Sequence, residues 1–400
     1  MPSENQPLIF HEVARGDLQA VEQSLANNPN LLQYRNYQGA SLYFIAARYG
    51  HIHIIGYLER IGYSYEQAGR DFHGRSPLFW AASRGRIEVV RYLVEAARDR
   101  FDERTTNGST LLMHATKSRS LSAIQGLIQL ELNLHGHVSM PFQINSQGMN
   151  AISYAARAGQ QEIVQWFSEH YDKSFSNYKN LNGETILMLA AQSGNVALVQ
   201  WLIQKVDPDL LPLKNTTNQS ALSYAVFSGS LPTLQLLLSH SEAGSLQKEK
   251  NIIHLASKQK NDTMLRFLVQ ELGSDILDTT NNELLETPFM LAAQKGHLKH
   301  LQYFTEVTDL SWLLKQNANH QTLYSYALKN GHLPVLQWLQ EKLPASFQEE
   351  KDRLNFSVLL NAAYQGNEDL VTWLITVNPQ LIRHKNAGGQ TVIMYAARAG

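Results

Sequence analysis

One alanine returns along this chain at Ala46, Ala81, Ala115, Ala155, Ala190, Ala225, Ala256, Ala292, Ala327, Ala362 and Ala396, in steps of 34 to 36 residues apart from one of 40 and one of 31. Self-similarity at a period of this length marks a chain built by stacking copies of one small unit, because no copy buries its apolar face alone. Five residues before each alanine stands a Ser, Thr or Asn: Ser41, Ser76, Thr110, Asn150, Thr185, Ser220, Asn251, Thr287, Thr322, Ser357 and Thr391. A short side-chain oxygen at that place accepts a hydrogen bond from an unpaired helix N–H, so a helix is expected to start there in every unit. Four residues after the alanine comes Gly50, Gly85, Gly159, Gly194, Gly229, Gly296, Gly331, Gly366 or Gly400, with Arg119 and Lys260 standing in twice. A left-handed residue at that point ends the helix. A second helix follows with apolar spacing, as in Ile87, Val90, Leu93 and Val94. Each unit therefore reads helix, turn, helix, connector.

Stretches such as SPLFWAASRGRIEVVRYLV (76 to 94), ETILMLAAQSGNVALVQWLI (184 to 203) and ETPFMLAAQKGHLKHLQYF (286 to 304) resemble the ankyrin repeat, whose spacing is near 34. The resemblance covers nearly the whole chain and implies an all-α solenoid of about twelve helix-turn-helix units with short hairpin loops. Residues 7–36 read as an N-terminal capping repeat and 37–130 as further repeats. Residues 131–145 then form an insertion loop, and the repeats resume over 146–238. Residues 239–250 form an irregular joint that has lost its hairpin tip, before the final repeats of 251–400. The chain stops at Gly400 inside the first helix of a unit, which predicts that residues follow in the parent protein, either more repeats or an unrelated domain.

The family's Thr-Pro-Leu-His core survives in part. Its proline is kept as Pro77 and Pro288 and its histidine as His254, while other units place Phe, Met, Ser or Leu there. Apolar packing is expected to replace the polar network of those turns. The connectors Asn28 to Leu32, Asp207 to Leu211 and Asn378 to Ile382 share an N/D-P-x-L-L/I pattern and predict an extra helical turn. Trp166, Trp201, Trp338 and Trp373, with Tyr57, Tyr92 and Tyr303, share one column of the second helix, where they are expected to cover the seam between units.

Composition narrows the function classes. Thirty-four Lys+Arg against 35 Asp+Glu give a formal charge of -1, so no global basic field draws the molecule to nucleic acid or anionic lipid. The absence of cysteine excludes disulfides, Cys-ligated metals and thiol nucleophiles. No phosphate-binding glycine loop, zinc-protease helix or nucleophile elbow occurs, so no enzyme activity and no cofactor are assigned. His135 and His137 are spaced like metal ligands but lack a supporting constellation, and an exposed loop is the better reading. The N-terminus lacks a signal peptide's pattern and no apolar run is long enough to span a bilayer, so a cytoplasmic monomer is expected.

The candidate surface comes from two rows. Tips that start with Asn36, Asp71, Asn145, Asn180, Asn215, Asn317 and Asn386 suit side chains that close a turn on their own backbone. At or beside them stand Tyr37, Phe72, His73, Met149 and Leu181, which should point outward and offer partner contacts. In the resembled family the two residues after the paired alanines face the concave side. Here eight of these eleven pairs carry Lys or Arg and none carries Asp or Glu; Arg48 (beside Tyr49), Arg84, Lys117 and Arg157 recur in four successive units. Basic residues also suit helix C-termini for electrostatic reasons alone. The functional reading is a protein-binding scaffold whose concave face recognises an acidic or mixed segment. Its rivals are a targeting module of a longer enzyme, or a binder of phosphoinositide or nucleic acid through the basic stripe. Cys-free, Gln- and Asn-rich repeats with these connectors also resemble effectors that intracellular bacteria deliver into host cells. That resemblance implies a eukaryotic host protein as partner and secretion into the host cytoplasm.

Overall fold

The computed structural model describes residues 7–96, 98–171, 178–205, 210–249, 251–281, 284–343, 356–383, 385 and 388–399. Among these the chain forms 24 α-helices and no strand, with one isolated antiparallel bridge between Lys179 and Thr185. The helices cluster into two compact units, Met1–Tyr224 and Ala225–Gly400. In the first, Leu42–Tyr49 packs on Pro77–Ala82, and Ala151–Arg157 on Ile186–Ser193. In the second, Ile252–Lys258 packs on Pro288–Gln294, and that helix on Leu323–Lys329. The alanine ladder lies at these contacts. Ala46, Ala81, Ala115, Ala155, Ala190, Ala225, Ala256, Ala292 and Ala327 are wholly buried, because a methyl group is all that the close approach of two first helices admits.

Helix starts follow the expected pattern in part. Thr110, Asn150, Thr185, Thr287 and Thr322 accept from the backbone N–H three residues on. Ser41, Ser76 and Asn251 make no such side-chain cap. After Ser76, Pro77 has no N–H to satisfy and its ring presets the helical φ. The second helices are capped as well, by Asp17, Ser120, Ser230, Asn261 and Asn367. Of the two residues in place of the helix-ending glycine, Arg119 is left-handed at φ 57°. Lys260 is not; the helix Ile252–Lys258 ends on extended Gln259.

Successive units are joined by side-chain amides and imidazoles that donate to the last carbonyls of the preceding first helix. His51 reaches Ala14 O (3.0 Å), Asn195 Gly159 O (2.7 Å), Asn261 Gly229 O (2.6 Å), His297 Lys258 O (3.2 Å) and His332 Gln294 O (2.9 Å). These carbonyls lack helical partners, so the bonds satisfy helix ends and fix spacing together. The aromatic column covers the seams as expected at Tyr92, whose hydroxyl donates to Glu59 of the preceding unit at 2.7 Å.

The hairpin tips close as their sequence predicts. The side-chain oxygen at the first tip residue accepts from the N–H groups two and four residues later at Asn36, Asp71, Asn145, Asn180, Asn215 and Asn317. Asn386 lies outside the described residues. Tips also bond to each other: Phe72 N–H donates to Gln38 O, Ser146 to Asn107 O, Leu181 to Gln147 O and Thr216 to Asn182 O.

The expected loss of the polar network is corrected by the structure. A different network replaces it, linking the tip residue to the side chain nine positions on. Trp80 Nε1 donates to Asp71 (2.9 Å), and the Nδ2 amides of Asn145, Asn215 and Asn317 donate to the hydroxyls of Tyr154, Tyr224 and Tyr326, each at 3.0 Å. Two of these tyrosines donate onward to a carboxylate of the preceding tip, Tyr224 to Glu184 (2.5 Å) and Tyr326 to Glu286 (2.6 Å).

The insertion is likewise not a loop throughout 131–145. The helix Leu121–His135 runs through its first five residues. Buried Glu131 then ties the return, accepting from Ser139 N–H (2.8 Å) and Met140 N–H (2.9 Å). The described part of the 239–250 joint consists of turns that follow the helix Leu231–Ser239. The extra helical turns are present as 3-10 segments at Pro29–Gln33 and Pro379–Arg383, and also at Ser274–Asp278 and Leu310–Leu314, where the pattern is absent. Most of the connector from Asp207 lies outside the described residues.

Two substitutions test this packing. Ala190→Leu forces a larger side chain between first helices and should cost about 1–3 kcal/mol in urea unfolding. Gly148→Ala needs a left-handed alanine whose Cβ falls 2.8 Å from the Leu181 backbone nitrogen, whereas at Gly39 the obstacle is the exposed Phe72 ring. Gly148→Ala should therefore lose more stability than Gly39→Ala, out of about 1–3 kcal/mol for the left-handed strain itself. Equal losses would contradict the backbone contact.

Candidate functional site

The tips and the ends of the first helices share one face, and most of the sequence-selected residues stand on it. Tyr37, Phe72 and Leu181 are 74%, 76% and 71% exposed. Tyr49, His73, Arg84, Lys117 and Arg157 are exposed and Arg48 is half-buried. Met149 is the exception: it is 1% exposed and does not offer a contact surface. Its N–H is held by Asn145 Oδ1 at 2.9 Å, and the turn so closed brings the fifth tip residue back into the stack, where the Asn180 amide donates to its sulfur at 3.2 Å. Phe72 and Leu181, though exposed, also have a folding role. Each lies across the left-handed glycine of the preceding tip, Gly39 and Gly148, where even an added Cβ would collide with it.

Around Trp80 the cationic side chains gather. The guanidinium of Arg48 lies 5.3 Å from the Trp80 ring centroid and 5.8 Å from that of Tyr49, and Arg75 lies 5.3 Å from Trp80. Burial, followed by the Arg84 charge, lowers the Arg48 pKa from its ordinary value. Arg75 Nε donates to Asp71 Oδ2 at 2.6 Å, the oxygen that also accepts from Trp80. Burial opposes ionisation of Asp71, but Trp80, the Arg75 N–H and charge, and the His73 N–H together hold its carboxyl below the usual range.

Next to this group is a cavity of about 390 Å³ lined by His73, Arg75, Ser109, His114, Lys117 and Tyr154 among others. Lys117 Nζ lies 3.4 Å from His114 Nδ1, which accepts from the ammonium. Desolvation and the neighbouring Arg75 charge lower the Lys117 pKa. Trp80 is an aromatic anchor that the sequence already offers beside Tyr37, Tyr49 and Phe72, whereas sequence reasoning missed Arg75, His114 and Tyr154. A signal for Tyr154 was present, since it stands nine residues after a tip Asn, as Trp80 does after a tip Asp. Arg157 lies over Tyr154 at 5.6 Å, so it flanks the same cavity wall. In the second unit a cavity of about 320 Å³ has the corresponding place, lined by Glu286, Gln294, Gln321, Tyr326, Lys329 and Asn330 among others.

His135 Nε2 lies 3.7 Å from Asp102, and His137 Nδ1 bonds to the carbonyl of His135 at 3.0 Å. Among the described residues no three His, Asp or Glu come together as a metal site. Among those residues, too, no helix is long and apolar enough to cross a membrane.

Stacked helix pairs with side-chain-closed hairpin tips define an all-α repeat solenoid. The family profile described as "Ankyrin repeats (3 copies)" matches residues 9–100, 98–177, 171–251 and 253–352, and the chain belongs to the ankyrin-repeat family. Over 130 residues it is 25% identical to Synphilin-1 of Mus musculus. That stretch is 32% of this chain and only 13% of the mouse protein's length.

Three buried histidines make the fold sensitive to acid. Burial, reinforced by Lys117, pushes His114 down to about 3. Burial also pushes His254 and His300 down to about 4. All three are neutral when folded at pH 7, whereas the unfolded chain protonates them near pH 6.5. Between about pH 6.5 and 4 the unfolded state binds more protons, so stability falls as pH falls, by up to about 1.4 kcal/mol per pH unit per histidine. Above that window these groups contribute no pH dependence. Urea midpoints at pH 7.5 and 5.0 should differ less in His254→Gln than in the parent, and an unchanged difference would count against a neutral buried His254.

Proposed function

We propose that the chain is a non-catalytic scaffold that binds another protein along its tip and first-helix face. The observation that carries this reading is the juxtaposition, in the first unit, of exposed aromatic rings at Tyr37, Tyr49 and Phe72 with Arg48, Arg84, Lys117 and Arg157 on one face. Aromatic and guanidinium groups supply most of the energy of many interfaces, and a row of cations orients an acidic or mixed segment. The ankyrin family assignment supports it, since repeats of this kind present such faces to protein partners. The compositional resemblance to bacterial effectors makes a eukaryotic host protein the partner to seek.

A binder of phosphoinositide or nucleic acid would use the same cations. It would lose affinity steeply with salt because each phosphate contact releases counterions. A protein partner anchored by aromatic contacts depends on salt less.

The test uses Arg84→Glu/Arg157→Glu, which keeps the surface polar and should leave stability within about 1 kcal/mol. Proteins retained from eukaryotic lysate by the parent chain should bind this variant at least tenfold more weakly, which corresponds to about 1.4 kcal/mol. Undiminished binding by the folded variant would reduce the row to helix-end electrostatics.

A further inference from the structure

The tyrosine network described above is incomplete in one unit, and that unit holds the cationic cavity. Tyr224 and Tyr326 each accept from a tip asparagine and donate to a carboxylate of the preceding tip, Glu184 or Glu286. Tyr154 accepts from Asn145 in the same way. The residue that corresponds to Glu184, four positions after the first residue of the preceding tip, is Ser109. Where two units supply an internal carboxylate, this one supplies a neutral hydroxyl.

The surroundings of Ser109 differ in sign as well. Glu286 and Lys329 line the second cavity, one acid and one base. The first is lined by Arg75, Lys117, His73 and His114, with no Asp or Glu in its wall. Asp71 answers the charge of Arg75 from outside the wall, at 2.6 Å, which leaves Lys117 to meet an anion. Lys117 is exposed on the same face as Arg84 and Arg157, so the cavity opens where a bound segment would run.

We propose that this cavity seats one side-chain carboxylate, an Asp or Glu of the partner protein, which accepts from the Tyr154 hydroxyl and pairs with Lys117. The inference rests on the face assigned under Proposed function and names the anchor within it. The internal precedents fix the chemistry: the same tyrosine position already receives a carboxylate twice in this chain. They favour a monoanion on a side chain over a phosphate, because one lysine is left to match it. Such an ion pair, partly withdrawn from water and carrying a charge-assisted hydrogen bond, contributes selectivity for acidic residues at one position of the bound segment.

The test is a titration of the full chain, labelled with ¹³C at methionine methyls, with an acetylated Gly-Glu-Gly-Glu-Gly peptide. Met113, which lines the cavity, reports occupancy through its methyl shift. The peptide should saturate that shift, and its Gln counterpart should not. Lys117→Gln and Tyr154→Phe should each weaken binding at least tenfold. Ser109→Glu, which places in this unit the carboxylate the other two have, should abolish the response. Should Ser109→Glu fail to fold, exposed Lys117→Gln still decides the matter. Equal saturation by the Gln peptide, or full binding by folded Lys117→Gln, overturns the proposal. Loss of binding in Arg84→Glu/Arg157→Glu together with full binding in Lys117→Gln overturns the cavity while the wider face stands. Undiminished binding in every variant overturns both. A chain that ignores the peptide but binds vesicles containing phosphatidylinositol bisphosphate, in a Lys117-dependent way, assigns the cavity to phosphate and also overturns the proposal.

Discussion

A single side-chain oxygen at the start of each hairpin tip governs much of what lies around it. By accepting from two backbone N–H groups, at Asn36, Asp71, Asn145, Asn180, Asn215 and Asn317, it forces the chain to reverse within five residues. The reversal places a left-handed residue at the fourth tip position, glycine at Gly39, Gly74, Gly148 and Gly183, beside the second residue of the next tip, and lines up an N–H with the preceding tip's carbonyl. At Asn145, Asn215 and Asn317 the remaining amide protons reach a tyrosine on the first helix, so the same residue that shapes the loop also sets that helix beneath it. Tip, glycine and helix are thus fixed by one group, and the exposed face inherits its regularity from them.

What could be read from sequence alone was what depends on neighbours close in the chain. The alanine ladder, the first-helix starts at Thr110 or Thr185 and the turn-closing asparagines are encoded within a few residues, and local hydrogen bonding realises them. Errors arose where the deciding contact came from another unit or from the return of a turn. Met149 looked like an exposed tip residue because the pattern of the loop does not show that its fifth position folds back. Glu131 looked like loop because its partners, Ser139 and Met140, lie beyond the end of the helix that carries it. The tip-to-aromatic spacing of nine stands in the sequence at Asp71/Trp80 and Asn145/Tyr154, but the hydrogen bond it encodes exists only once the turn and the first helix have brought the two side chains together. Arg75 joins the candidate site through Asp71 and Trp80, and His114 through Lys117, contacts made by positions that vary from unit to unit and so carry no periodic signal.

Identical scaffolding carries different electrostatics in different places. The cavity over Tyr154 and the one over Tyr326 share a lysine at the same place, Lys117 and Lys329, yet Ser109 in place of Glu286, with Arg75 beside it, makes the first cationic where the second is mixed. Positions that vary on this face include the second tip residue, the residue four after the tip start, and the pair after the alanines. Chemistry along the face is therefore written at those positions while the buried alanines and turn oxygens stay constant.

The donors that join successive units, His51, Asn195, Asn261, His297 and His332, all reach a main-chain carbonyl and ignore the side chain that bears it. A joint of this kind makes little demand on the neighbour beyond the helix-ending glycine that lets the ring approach, Gly16 for His51 and Gly296 for His332. A gene encoding it can gain or lose a unit by in-frame duplication or deletion and still yield a matched seam on both sides. The length of the array is then free to drift under selection, and each new copy begins with a variable face that has not yet been committed to any ligand.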